Sequence, residues 1–258
     1  MFKSGIATVI LDKELMGRNT IVLVIFICLG LIIPGHLWAE GADLKNECVI
    51  VLHGMGRTKF AMRKVEKALA ADGYTVWNRS YPSTEKPIET LAAEHISKGL
   101  RYCRRSGAGK IHFVTHSLGG ILVRQYLQKN TIENLDKIVM LSPPNSGSEI
   151  ADNLKDLKLY QWMMGPAGQQ LGTDANSLPN TLDRIDATVG IITGNSTSDP
   201  WFSPFIPGED DGKVSVKSAR LEEMTDFLVV EAGHTFIMSN RSVLEQIRHF
   251  LRKGTFKR

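Results

Sequence analysis

A serine that follows an apolar run and is flanked by small residues is the best-placed nucleophile in this sequence. Residues 111–116 read Ile-His-Phe-Val-Thr-His, and after Ser117 come Leu-Gly-Gly and a helix-like segment at 121–127. A serine on such a tight strand–turn–helix junction projects its Oγ out of the sheet edge, where the helix dipole favours negative charge. Gly119 provides one of the two small positions that the turn requires, whereas Thr115 stands where glycine is usual. An ordinary strand–helix turn is the alternative interpretation.

A serine hydroxyl attacks efficiently only when a base takes its proton and a third group orients that base. Among the seven histidines, His234 is the one that follows a late strand. The loop before it carries three acidic residues at 209–211, and Asp152 lies after an earlier strand. The chain therefore offers serine, acid and histidine in the order found when the serine occupies a strand–turn–helix junction. A loop histidine without a catalytic role is the alternative for His234.

Stabilisation of a tetrahedral oxyanion requires two preorganised backbone N–H groups. Leu118, directly after the serine, is predicted to provide one of them. The other is expected from the glycine-rich loop at 53–58, His-Gly-Met-Gly-Arg-Thr, and we assign it to Met55.

A parallel sheet would bring these residues together. Continuous apolar runs predict buried strands at 48–52, 74–78, 111–116, 137–142, 187–193 and 227–231. Helical periodicity lies between them, so we predict an α/β fold with a mostly parallel central sheet and helices on both faces. Every candidate residue follows the carboxyl end of a strand, where such sheets bind ligands. Residues 149–186 lack a strand pattern and are predicted to form a lid-like insertion.

These motifs together resemble the α/β-hydrolase-fold serine esterases, and the chain is similar to bacterial lipases and to lipase-like relatives of GPI-inositol deacylases. The resemblance implies cleavage of a carboxylic ester through an acyl-enzyme, without a cofactor. It also implies that Asp211, in an Asp-Gly-x-Val element, is the acid of the triad. No pattern of a calcium site is found, so no metal is expected. The matching segments are 53–58, 116–120, 142–148, 211–216 and 233–234.

The substrate is expected to be an acyl ester or a lipid. His53, Trp201 and Phe205 are candidate substrate-binding residues. The proline-rich segment 200–207 and the tryptophan–methionine group at 162–164 either line an acyl pocket or touch a membrane, or they simply pack on the domain. A net charge of +4 spread over 31 basic and 27 acidic residues is not typical of a nucleic-acid-binding surface, so no nucleic-acid partner is expected.

The N-terminal region has the order of a secretory signal peptide. Lys13 and Arg18 precede an apolar run at 20–33, and Ala39 follows as a small residue for cleavage. An uncleaved anchor, with membrane association through residues 20–33, is the alternative, although a span needs about 20 apolar residues. We therefore predict a leader over 1–39 and an exported domain over 40–258, either periplasmic or secreted, or held at the membrane outside the cytoplasm.

Export changes the interpretation of Cys48 and Cys103, which are expected at the same end of the sheet. A disulfide and a pair of buried thiols both remain open for them.

Three functions fit the sequence. The leading prediction is an exported serine hydrolase that acts on acyl esters. An acyltransferase would use the same acyl-enzyme with a lipid or sugar alcohol as acceptor. An inactive hydrolase-fold scaffold that serves as a binding protein is the third, although the complete set of serine, acid and histidine disfavours it.

Overall fold

The computed structural model describes residues 45–196 and 202–258. The predicted leader, the apolar run at 20–33 and Trp201 lie outside the described residues. Within these two ranges, no helix combines the length and apolar character that crossing a membrane would require.

The described residues form one sheet of six strands, all of them parallel to their neighbours. The strand order is β2-β1-β3-β4-β5-β6. The prediction of a parallel α/β sheet is confirmed, and every strand end lies within two residues of the predicted end. The strands are β1 (Glu47–Leu52), β2 (Thr75–Asn78), β3 (Lys110–His116), β4 (Leu135–Leu141), β5 (Thr188–Gly194) and β6 (Asp226–Val230).

Helices cover both faces of this sheet. They are α1 (Arg63–Ala71), α2 (Ile88–Arg105), α3 (Leu118–Leu127), α4 (Glu149–Leu154), α5 (Lys158–Gln169), α6 (Leu178–Thr181) and α7 (Arg241–Lys253). Alternate side chains of β1 point to opposite faces because successive residues of a strand do so. Ile50 and Leu52 pack in the core under α2 and α3. Val49 and Val51 pack in the core under α1 and α7.

Phe60, Val65 and Leu69 recur at helical spacing, but only two of them lie on the helix that follows β1. Val65 and Leu69 are buried, but Phe60 is 69% exposed. The reason is that α1 begins only at Arg63, and Phe60 lies before it in a 3₁₀ turn, Lys59–Met62, outside the periodicity of the helix.

The insertion between β4 and β5 is helical and consists of α4, α5 and α6. Helix α5 is kinked at Gly165, which has φ 60° and ψ −162° and precedes Pro166. A Cβ added to Gly165 would lie 1.6 Å from the carbonyl oxygen of Thr84. The insertion therefore packs tightly on the loop between β2 and α2, and its opening as a lid stays a prediction.

Cys48 and Cys103 form a disulfide. Cys48 lies near the start of β1, Cys103 lies in the last turn of α2, and both are fully buried. The bond joins residues 55 positions apart in the sequence. It therefore ties the longest helix of the described residues to the first strand of the sheet.

Reduction of this disulfide is expected to destabilise the domain, because the link restricts the unfolded chain. We expect the free energy of unfolding to fall by about 2–4 kcal/mol. Urea denaturation of the oxidised protein, the reduced protein and the double variant Cys48→Ala/Cys103→Ala measures this difference. Equal unfolding midpoints for the oxidised and reduced proteins would contradict the expectation.

Candidate active site

Ser117 lies on a strained turn between β3 and α3. Its backbone has φ 52° and ψ −122°, a conformation that non-glycine residues rarely adopt. The turn is held by hydrogen bonds: the Ser117 N–H donates to the carbonyl of Leu141 at 2.8 Å, and the Gly120 N–H donates to the Ser117 carbonyl at 2.9 Å. A Cβ at Gly119 would lie 2.9 Å from the carbonyl oxygen of Leu52. Glycine at this position therefore allows the helix to begin directly after the serine.

His234 pairs with the carboxylate of Asp211. The His234 Nδ1 lies 2.9 Å from Asp211 Oδ2, and the His234 N–H donates to the Asp211 carbonyl at 2.8 Å. An ionised carboxylate only accepts hydrogen bonds, so the proton belongs on Nδ1. In the neutral ring, Nε2 is then left with a free lone pair and can act as a base.

The Asp211 carboxylate is ionised although it is buried. Burial by itself would raise its pKa. The His234 ring and the Val214 N–H act in the opposite direction and hold the pKa below its usual value. Asp211 Oδ1 accepts hydrogen bonds from the N–H groups of Lys213 at 3.1 Å and Val214 at 2.9 Å.

The structure brings neither Asp210 nor Asp152 to His234. Asp210 Oδ1 accepts from the Ser203 hydroxyl at 2.8 Å and the Gly212 N–H at 2.6 Å. Asp152 accepts from the N–H and the hydroxyl of Thr173. Of these candidate acids, only Asp211 contacts the histidine.

Ser117 and His234 line the same cavity, which has a volume of about 120 Å³. Much of its wall is apolar and comes from the insertion and the loops beside it. These apolar residues include Pro144, Ile150, Tyr160, Met164, Leu171 and Val214. A hydroxyl and an imidazole thus open onto a space that is suited to an apolar chain.

The two predicted oxyanion-hole N–H groups are unused by the protein. Within residues 45–196 and 202–258, neither the Met55 N–H nor the Leu118 N–H donates a hydrogen bond. The loop that carries Met55 is fixed at both sides: the Tyr81 hydroxyl donates to the His53 carbonyl, and the Gly56 N–H donates to Ser83 Oγ at 2.9 Å. Neither N–H group is therefore committed to a partner in the described residues, and Met55 lines the cavity, whereas Leu118 is buried directly behind Ser117.

His53 does not line the cavity, contrary to its prediction as a substrate-binding residue. Its ring is fully buried and stacks on Tyr81 with ring centroids 4.0 Å apart. His53 Nδ1 lies 2.8 Å from the carbonyl oxygen of Gly54. His53 Nε2 accepts a hydrogen bond from the Tyr81 N–H at 3.2 Å. Burial lowers the pKa of His53 to about 4. With both nitrogens bound inside the fold, His53 supports the glycine-rich loop instead.

Phe205 is not at the cavity either. It is half exposed in a 3₁₀ turn, Ser203–Phe205, outside the cavity wall. Trp201, its predicted partner, lies outside the described residues.

A family model described as alpha/beta hydrolase fold matches residues 47–166 of the sequence. The matched region contains β1 to β4 and the turn of Ser117. This chain has the α/β-hydrolase fold.

Several solved structures of hydrolases share this fold. The mature form of a Bacillus licheniformis lipase is 18% identical with a TM-score of 0.62, over 81% of this chain and 91% of that one. The phospholipase PlaB of Legionella pneumophila is 17% identical with a TM-score of 0.59, over 79% of this chain and 57% of that one. A metagenome-derived lipolytic enzyme is 16% identical with a TM-score of 0.58, over 83% of this chain and 98% of that one. None of the curated proteins matches the sequence.

Sequence reasoning missed a residue of the hydrolase-fold site, His116. It is the variable residue of the serine motif and carries no signal of its own. In the structure it is buried, and its Nε2 lies 3.0 Å from the His234 carbonyl, so Nε2–H donates to that oxygen. Burial, together with the nearby His234, lowers the pKa of His116 well below its usual value. The residue before the serine therefore holds the backbone of the base.

Asp211→Asn is expected to lower ester turnover by about 10⁴-fold, because the histidine loses the carboxylate that fixes its tautomer and orientation. Steady-state hydrolysis of a nitrophenyl ester measures this loss. Asp210→Asn is the matched control and should stay within a few-fold of the parent protein. A severe effect of Asp210→Asn beside a mild effect of Asp211→Asn would show that the acid is misassigned.

Proposed function

We propose that this protein is a serine hydrolase that cleaves carboxylic esters through an acyl-enzyme. The observation that carries the proposal is the Asp211–His234 pair, whose ring opens onto the same cavity as Ser117 on its strained turn. The fold shared with lipases and esterases supports this assignment.

In the proposed mechanism, Ser117 Oγ attacks the ester carbonyl while His234 Nε2 accepts the hydroxyl proton. Asp211 stabilises the imidazolium that forms. The N–H groups of Met55 and Leu118 bind the oxyanion, and such a donor contributes about 3–4 kcal/mol. The C–O bond then breaks, and His234 returns the proton to the leaving alcohol.

Deacylation follows the same route with water as the nucleophile. His234 takes a proton from a water molecule, which attacks the acyl-enzyme carbonyl. Ser117 Oγ leaves and regains its proton from the imidazolium, which releases the carboxylic acid. The enzyme returns to its starting state without a cofactor.

An acyl or lipid ester is the substrate that the surface supports best. Nearly all large apolar side chains exposed in the described residues lie on segments that follow the carboxyl ends of strands, the edge that carries Ser117. They are Phe60, Leu157, Leu159, Trp162, Met163, Phe205 and Phe236, and Tyr102 is the exception. Exposed apolar side chains that gather in a patch mark contact sites for lipids or proteins, and we propose that these residues form such a site. We define these seven residues as the apolar rim.

We further propose that the domain works outside the cytoplasm. The Cys48–Cys103 disulfide supports this location, because such bonds persist in oxidising compartments and are rare in the cytosol. The signal-like order of residues 1–39 points in the same direction.

A fluorophosphonate probe is expected to label Ser117 covalently, since attack on the phosphorus needs the neighbouring base. Labelling should fall by orders of magnitude in His234→Ala and should be absent in Ser117→Ala. Intact-protein and peptide mass spectrometry locate the label. A folded protein that takes no label would favour the inactive binding scaffold, and a label on Ser142 would show that the nucleophile is misassigned.

Trp162→Ala is expected to slow hydrolysis of aggregated long-chain esters several-fold, because this 82% exposed ring is the most exposed member of the apolar rim. Titration of the ester across its solubility limit measures the effect. Tyr102→Ala is the control, since Tyr102 is an exposed aromatic near the opposite end of the sheet. Equal losses for dissolved and aggregated esters would contradict a role in contact with the lipid surface.

A further inference from the structure

We propose that Arg57 makes the cavity selective for esters that carry a negatively charged group, a phosphate or a carboxylate, close to the scissile bond. This inference rests on the proposed ester hydrolysis and adds the chemical class of the substrate. It concerns a side chain that takes no part in the proposed serine, acid and histidine mechanism.

The cavity wall carries basic side chains but no acidic ones. Two of its lining residues, Arg57 and Lys213, are basic, and none of them is Asp or Glu. The one carboxylate of the mechanism, Asp211, lies behind His234 and is 2% exposed. A neutral ester would not need this arrangement, whereas an anionic ester gains from it on entry and on binding.

The Arg57 guanidinium is not used by the fold. Within residues 45–196 and 202–258, it makes no ion pair and no hydrogen bond. Of the other arginines in the described residues, Arg248 and Arg252 pair with Asp72, and Arg57 is the arginine that lines the cavity. Arg57 is partly buried at the edge of the cavity, so an incoming anion would find a cation that has lost part of its water and has no partner.

The backbone of Arg57 is fixed close to the reacting atoms. Arg57 lies two residues after Met55, and its N–H donates to the Gly54 carbonyl at 3.3 Å. After burial and the nearby His234, its positive charge is a minor cause of the lowered pKa of His116. An anion held by Arg57 would therefore lie near the ester bound at Ser117.

The chemistry of a guanidinium suits this role. Its planar fork of N–H donors matches the oxygens of a phosphate or carboxylate and can bind two of them at once. Two kinds of ester present this anion: a lipid with a phosphate headgroup, and a small, soluble acyl ester of an alcohol that carries a phosphate. The test separates these two sources.

The test compares two glycerol esters with the same butanoyl chain, glycerol monobutanoate and its glycerol-phosphate counterpart, both dissolved as monomers. The measured quantity is the ratio of kcat/KM for the phosphate ester to that for the neutral ester, in the full-length protein. Arg57→Gln is expected to lower this ratio at least about tenfold, or about 1.4 kcal/mol. Arg57→Lys keeps the positive charge, so it should keep much of the preference for the phosphate ester.

Lys59→Gln is the matched control, because it removes one positive charge from the same loop at a residue outside the cavity wall. Its ratio should equal that of the parent protein. The same comparison with long-chain esters in mixed micelles identifies the source of the anion: a larger Arg57 effect in micelles points to a lipid headgroup, and an equal effect points to soluble esters.

The outcomes separate the two proposals. If the parent protein hydrolyses both esters and Arg57→Gln has the same ratio of kcat/KM values, the proposed role of Arg57 is overturned. The proposed ester hydrolysis is not affected by that result. Equal losses for Arg57→Gln and Lys59→Gln overturn it as well, since the effect is then only long-range charge. Hydrolysis of neither ester by a protein that is folded overturns both proposals.

Discussion

The ionised carboxylate of Asp211 inside the protein is the constraint on which the rest of the site depends. A buried charge is costly unless partners compensate for it. Here the partners come from two parts of the chain: the N–H groups of Lys213 and Val214 in the same loop, and His234 after β6. The contact with His234 that helps to keep the Asp211 carboxylate ionised also fixes the tautomer of the His234 ring.

The parallel sheet is what makes these contacts coincide. Every carboxyl end of its strands lies on one edge, and Ser117, Asp211 and His234 all follow such ends. The backbone strain at Ser117 is tolerated because hydrogen bonds from the neighbouring strand and the new helix fix the turn. The arrangement gives a small cavity in which the polar atoms lie on one side and the insertion supplies an apolar wall.

Much of this architecture could be predicted from the sequence, because continuous apolar runs and helical periodicity determine which segments are buried. The pairing of Asp211 with His234 was predicted through the resemblance, because strand order left Asp152 and the acidic residues at 209–211 open and the Asp-Gly-x-Val element then indicated Asp211. Roles that depend on tertiary neighbours were not. His53 lies in a motif loop but turns into the core, Phe60 fits the helical period but lies before the helix, and His116 acquires its partner only across the fold.

The hydrogen bond from His116 to the His234 carbonyl joins residues 118 positions apart. Contacts of such long sequence separation are slow to form, because the long loop between the two residues must close first. In synthesis from the N-terminus, the turn of Ser117 is made before β6 and the segment that carries His234. The contact between His116 and the His234 carbonyl can therefore form only after the last strand of the sheet has been made.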